Sequence, residues 1–331
     1  MKAVILAGGF ATRLWPITRH RPKMLLPLGE QTVIDRIYAS LEREARIDEV
    51  FVSTNERFAP DFEQHHAAMQ FQKPKLSIEP TRAEAEKLGV IGALRALIDR
   101  EDIEDDLLVI AGDNIFDFDM ADFLDEFERR QTPTIAVYDV EDLERARPYG
   151  ALELADDRVT GFEEKPSKPR SSCVSVGCYA FPSESLGLIG SYIEAGNDPD
   201  EIGWLIQWLY TREPTYAFTY EGTWFDVGTV ESDLNAVAWT LDGSALIDDT
   251  ATLTDVSIGP NVHIMSHTSL ADVDVEHAVI FPDVRLTDVH VRHSVIDEGA
   301  ALGGLTLHNA MVGGYTVIRD GHRPDSGVSS E

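Results

Sequence analysis

A short internal repeat constrains this chain more than any other feature. Past Gly243, four segments align from their leucines: LTDVSIGPNVHIMSHTS (253–269), LADVDVEHAVIFPDVR (270–285), LTDVHVRHSVIDEGAA (286–301) and LGGLTLHNAMVGGYTV (302–317). The steps between them are seventeen, sixteen and sixteen residues. Val256, Val273, Val289 and Leu305 hold one place in the unit, and Ile258, Val275, Val291 and Leu307 another. A second aliphatic pair recurs at Val279-Ile280, Val295-Ile296 and Met311-Val312, with His263-Ile264 as the imperfect first copy. A unit this short cannot bury its own apolar face, so successive copies must stack.

The pattern resembles a left-handed β-helix of hexapeptide type with slightly short coils, and we place that domain at 245–318. Residues 319–331 are expected to form a disordered tail. The repeats hold six of the ten histidines, His263, His267, His277, His290, His293 and His308. His277 and His293 fall at equivalent places and could stack as a ladder. Exposed polar positions of a solenoid account for these histidines most simply, with a metal or pH-sensing role as the alternative.

Residues 1–240 read differently. Short strand-like runs at 3–7, 49–54, 75–78 and 106–113, the first and last of them continuously apolar at their centres, alternate with helical stretches at 32–44, 58–69 and 87–99. Thr32 and Asp35 are spaced as an N-cap pair. Strands without alternation, separated by helices, indicate a parallel sheet covered on both faces. Shorter strand candidates follow (TIAVYDV, ALEL, VTGFEE, SVGCYAF and TYAFTY), among helices at 184–194 and 201–211. The fold class expected is α/β: a Rossmann-like domain with a mixed central sheet over 1–240, then the short β-helix.

Charge narrows the function. The 331 residues include 28 basic and 58 acidic side chains, a net charge of −30. Such a surface repels nucleic-acid backbones and anionic membranes, so neither is expected as a partner. A phosphate ligand would need a local cluster of Lys, Arg, backbone N–H groups and metal. Only seven lysines occur, while the acids are spread along the whole chain, which suggests adaptation to high salt, with a simply acidic protein as the alternative. Cys173 and Cys178 are five apart in a strand-like run and point to opposite faces, which disfavours a mutual disulfide. The opening MKAVILAGGF lacks a signal-peptide core, and no apolar run approaches a membrane span, so a cytoplasmic location is expected.

The segment LAGGFATRLWPITRHRPKMLLPLGE (6–30) carries the clearest chemistry. A buried strand runs into Gly8-Gly9, a loop whose backbone N–H groups can cradle phosphate oxygens. It fits neither G-x-G-x-x-G nor a Walker loop. Arg13 and Lys23 add two positive charges, and Pro16, Pro22 and Pro27 restrict the path that presents them. Four further motifs follow in order: AGDN (111–114), PYGALEL (148–154), FEEKP (162–166) and WFDVGT (224–229).

Together these motifs resemble the sugar-1-phosphate nucleotidyltransferases, most closely the glucose-1-phosphate thymidylyltransferase-like and uridylyltransferase-like enzymes. The resemblance covers residues 1 to about 240, and the β-helix matches longer members of the family. It implies transfer of a nucleotidyl group to a sugar 1-phosphate with loss of pyrophosphate, chemistry that is mostly positioning and charge neutralisation. It implies catalytic roles for Arg13 and Lys23 at the triphosphate. Leu6, Gly8, Gly9, Glu79 and Gly89 would border the nucleotide. Gly150, Glu164, Lys165 and Trp224 would meet the sugar phosphate. Asp113 and Asp226 would hold Mg2+, a hard cation usually bound by one or two carboxylates. Trp224 and Asp226 face the same side of an extended segment. Asp117 and Asp119 are nearby acids expected to serve turns or a helix start.

Three positions depart from the family pattern. Ala11 stands where a third glycine is usual, so the loop there must tolerate a methyl group. Gln207 stands where thymidylyltransferases carry an arginine. Glu79 replaces a glutamine that reads the pyrimidine; its carboxylate could accept the ring N–H of uracil or thymine, or two donors from guanine. UTP or dTTP with glucose 1-phosphate is the favoured pair, and GTP with mannose 1-phosphate the alternative. A non-catalytic nucleotide-sugar sensor and a β-helix acyltransferase rank lower. A homo-oligomer is expected, with the tail packing on another subunit or on the core.

Overall fold

The computed structural model describes residues 1–319 and divides them into two units. The first comprises Met1–Phe10, Arg21–Leu26 and Gln31–Asp226. The second comprises Ala11–His20, Pro27–Glu30 and the chain from Val227 onward. The tail expected at 319–331 lies, after Arg319, outside the described residues.

The first unit is built on nine strands: β1 (Lys2–Leu6), β2 (Glu49–Asn55), β3 (Pro74–Glu79), β4 (Leu107–Ala111), β5 (Thr134–Asp139), β6 (Gly150–Ala155), β7 (Arg158–Glu164), β8 (Cys173–Phe181) and β9 (Tyr216–Thr219). Their order across the sheet is β3-β2-β1-β4-β8-β5-β9-β7-β6. The first four pair in parallel, and β8 enters antiparallel between β4 and β5. The mixed sheet is the expected one. Ala3 and Ile5 face one layer, with the helices Val33–Arg43 and Met120–Arg130. Val4 faces the other, with Val90–Arg100, Leu186–Glu194 and Ile202–Leu209. Both faces of β1 are therefore covered, which is why its sequence is apolar without alternation. Thr32 caps its helix in a reciprocal box with Asp35, as their spacing implies. Cys173 and Cys178 are both free.

In the second unit the repeats stack as parallel strands with the expected columns. Leu253, Leu270, Leu286 and Leu302 align, as do Val256, Val273, Val289 and Leu305. These columns fill the interior, in keeping with the β-helix expected. Three further columns turn the chain. Asp255, Asp272, Asp288 and Gly304 form one; Asn261, His277, His293 and Asn309 the second; His267, Asp283, Gly299 and Tyr315 the third. All twelve have φ between +47° and +69°, the left-handed region that Gly, Asn, Asp and His tolerate best. His277 and His293 are corner residues whose rings stack 4.8 Å apart, so the ladder forms.

Candidate active site

The carboxyl ends of β1, β2, β3 and β4 converge, the place where open α/β sheets receive ligands. Beyond Leu6 the chain is pinned on both sides. Ala7 donates its N–H to the Ser53 carbonyl (2.8 Å), and the Leu6 carbonyl accepts from the Gly112 N–H (3.0 Å). The Asn55 amide donates to the Gly8 carbonyl (2.9 Å). A Cβ on Gly8 would meet Glu79 Oε1 only at 3.7 Å, and one on Gly9 would meet nothing within 4 Å. Protein packing therefore demands glycine at neither position, in keeping with a loop shaped for a ligand to approach its backbone.

Glu79 ends β3 beside Asn55 and is 5% exposed. Burial pushes its carboxyl up from the usual range, against the pull of the Ser53 hydroxyl, which donates to Oε1 at 3.2 Å. Gly89, at φ +76°, begins the helix Val90–Arg100, and its close approach is to the Pro199 backbone. That packing accounts for the glycine.

Lys23 and Asp113 form a largely buried ion pair. Asp113 sits just after the Gly112 turn, and its Oδ1 accepts from the Asn114 amide at 2.9 Å. Asn114 Oδ1 in turn accepts from the Trp224 indole at 2.8 Å. The short antiparallel ribbon Asn114–Phe116 with Trp224–Asp226 sets Asn114 directly opposite Asp226. One chain of contacts thus joins Lys23, Asp113, Asn114 and Trp224, with Asp226 beside it by strand register. Asp113, next in sequence to Asn114, and Asp226, opposite it in register, are hard oxygen donors of the kind Mg2+ takes. Among the described residues no group of three or more His, Cys, Asp or Glu is placed to hold a metal, so any ion there would need ligands from phosphate or water.

Glu164 and Lys165 lie at the end of β7. Glu164 is 8% exposed, and burial pushes its carboxyl up to about 7, with Lys165 lowering it and Glu201 raising it. A Cβ on Gly150 would lie 2.9 Å from Glu164 Oε2, and one on Gly203 would fall on the carboxyl itself. Gly203 makes room for this side chain; Gly150 makes room first for the Phe162 ring and then for Glu164, so packing within the protein, rather than the approach of a sugar, accounts for that glycine. Lys165, at φ +47°, donates its backbone N–H to the Tyr149 carbonyl (3.1 Å) and pairs its ammonium with Glu201. The Tyr149 ring meets Trp224 edge-on at 4.7 Å, tying this end to the Asn114 chain. Gln207 accepts the Glu164 N–H at 2.9 Å, so its carbonyl oxygen serves the scaffold.

Arg13 lies on the 3-10 turn Thr12–Leu14 in the second unit, with its side chain exposed. Ala11 before it adopts φ 47° and ψ 45°, so the loop takes a left-handed residue in place of a glycine. Asp119 caps the helix Met120–Arg130, and Asp117 accepts the Thr223 N–H at 2.8 Å; both are structural, as expected. Sequence reasoning gave no role to Asn114, Glu201 or Gly203. Asn114 stood in a quoted motif, but its bond to Trp224 spans 110 positions. Gly203 carried only the signal of a glycine in the first turn of a helix.

Comparison with known proteins agrees with these motifs. The family model for nucleotidyl transferases matches residues 2–242. A Sulfolobus acidocaldarius protein named for mannose-1-phosphate guanyltransferase activity is 29% identical over 69% of this chain. The aligned region is 60% of that relative, so the chain spans less than two thirds of its length. A Bacillus thuringiensis glucose-1-phosphate adenylyltransferase is 27% identical over 98% of this chain and 95% of its own. Among solved structures, a Bacillus anthracis protein described as a glucose-1-phosphate thymidylyltransferase, in complex with sucrose, superposes with a TM-score of 0.63 at 27% identity. It covers 72% of this chain and 95% of that one.

Proposed function

The chain belongs to the nucleotidyl transferase family, and on that footing we propose that it transfers a nucleotidyl group from UTP or dTTP to glucose 1-phosphate. An oxygen of the sugar phosphate attacks the α-phosphorus; the bond from the α-phosphorus to the bridging oxygen breaks and pyrophosphate leaves. The observation that carries this reading is the contact chain from Lys23 through Asp113 and Asn114 to Trp224. In a protein of net charge −30, it keeps a buried ammonium where the strand ends receive phosphates.

The roles divide along that chain. Gly8 and Gly9 present backbone N–H groups to the triphosphate. Lys23, released in part from Asp113, offsets charge on the transferring group. Arg13 does the same on the strength of its place in the loop after Gly8-Gly9. Asp113 and Asp226 would hold Mg2+, which supplies further neutralisation of the phosphates when bound. Trp224 walls the sugar, Glu164 accepts from its hydroxyls, and Lys165 exchanges Glu201 for the sugar phosphate.

Glu79 decides the base. As a neutral acid it acts as glutamine would, accepting from the pyrimidine N3–H and donating to O4. As an anion it suits the two parallel donors of guanine, which makes GTP with mannose 1-phosphate the second reading. Pyrophosphate release across UTP, dTTP, GTP and ATP, each with glucose 1-phosphate and mannose 1-phosphate in molar salt with and without Mg2+, tests both. Turnover with UTP or dTTP that improves as pH falls supports the first. Turnover with GTP alone establishes the second, and release with no pair overturns the assignment.

A further inference from the structure

Within the second unit, the loop carrying Arg13 rests on the last coil of the repeat. A Cβ on Gly313 would lie 2.9 Å from Pro16 Cγ and 3.0 Å from Pro16 Cβ. The φ of Gly313 is not in the left-handed range, so the nearness of Pro16 is what calls for glycine there.

Neither side of this contact yields easily. In the loop, the Ala11 carbonyl accepts from the Thr18 hydroxyl (2.8 Å) and the Leu14 N–H (3.0 Å). The Pro16 carbonyl accepts from the Arg19 N–H at 3.1 Å. Leu14, Ile17 and Thr18 are buried while Arg13 stands exposed, so the loop is a small packed body with the arginine on its outside. In the coil, the Gly313 carbonyl accepts from the Thr316 hydroxyl at 2.7 Å. Val312 just before it is buried, and its carbonyl accepts from the Asp297 N–H at 3.0 Å. A push on Pro16 is therefore passed to Arg13 more readily than absorbed.

We propose that Gly313 and Pro16 are positioning residues for Arg13: the final coil of the C-terminal repeat sets how the loop presents its guanidinium to the triphosphate. This rests on the role given to Arg13 above. It assigns the repeat a part in catalysis that does not depend on assembly.

Steady-state kinetics of full-length Arg13→Ala, Gly313→Ala, Gly313→Val and the double variant Pro16→Ala with Gly313→Ala separate the two claims. Arg13→Ala should lower kcat by about 100-fold or more, the scale for losing one charge-stabilising group. Gly313→Val should lower kcat/KM for the triphosphate by about tenfold, as a small misplacement does, with the sugar-phosphate KM near wild type and a melting midpoint lowered by the overpacking. Gly313→Ala should show the same selective loss in smaller measure, and adding Pro16→Ala, which removes the Cγ in the way, should restore part of it. Amides 11–18 should exchange faster in Gly313→Ala, a readout that stands even where Gly313→Val fails to fold. An inactive Arg13→Ala beside a fully active Gly313→Val sinks the positioning role alone. A fully active Arg13→Ala sinks the reading of Arg13 beneath it.

Discussion

Asn114 and Glu164 show how single residues at this site depend on distant neighbours. Asn114 holds both Asp113 and the Trp224 indole. Asn114→Ala should therefore lower turnover by about tenfold without emptying the site, whereas Asp226→Asn, which removes a carboxylate the phosphates would share with a cation, should cost about 100-fold or more. Single-turnover rates for the two variants check the ranking, and equal effects would refute it. Glu164 gives a pH dependence with a definite sign. Its carboxyl is raised by burial from an ordinary 4.5 to about 7, so between those values the folded protein binds more protons than the unfolded chain. The contribution to stability is fully present below pH 4.5 and falls as pH rises towards 7, by about 3 kcal/mol in all. Glu164→Gln removes that titration; urea melts should show the variant gaining on wild type between pH 5 and pH 8, and a constant difference would refute the assignment. The sequence named Glu164, Asp113 and Trp224 through their motifs. It could not show that Gly203 makes room for the Glu164 carboxyl, because that contact joins a strand end to a helix about forty residues on.

Elements were legible where burial imposes a period. Strands β1, β2 and β4 stood out because helices cover both faces of the sheet there, and the four leucines 253, 270, 286 and 302 stood out because each points into the coil interior. The antiparallel entry of β8 between β4 and β5 was not legible, since no local pattern encodes which strands become neighbours. The corners of the coil were hidden for another reason. Asp, Asn, His, Gly and Tyr share no hydropathy; most of them are residues that tolerate a positive φ, and the histidines at 277 and 293 belong to that set. The corner columns give a prediction proper to the element. At Asp288, φ 55°, valine places a branched Cβ against the following carbonyl and should cost about 1–2 kcal/mol, while glycine should be neutral within about 1 kcal/mol. Urea denaturation of the two variants decides it, and a harmless valine would show that the corner relaxes.

For the whole molecule the dominating quantity is charge, 58 acids against 28 bases. The bases are mostly engaged, as in Lys2 with Glu49, Arg46 with Glu44 and Arg130 with Glu126, and the surplus acids repel one another. Salt weakens both effects, since the screening length falls from about 10 Å at 0.1 M to about 3 Å at 1 M. Short pairs lose less of their energy to screening than the many longer-range repulsions do, so the net effect of salt is stabilising. The melting temperature should rise by several degrees between 0.1 and 2 M KCl, a salt that screens charge without strengthening apolar burial as sulfate does. The same field bears on substrate capture. A triphosphate approaches against a net negative surface and is attracted only near Lys23 and its neighbours, so at low ionic strength salt should raise the second-order rate of nucleotide binding. That is the reverse of what a basic site on a basic protein shows. Stopped-flow binding of UTP or GTP from 0.05 to 0.5 M KCl measures the slope directly. A rate that falls with salt from the outset would mean that the local cluster of cations governs the approach, and that the acids spread along the chain have no part in it.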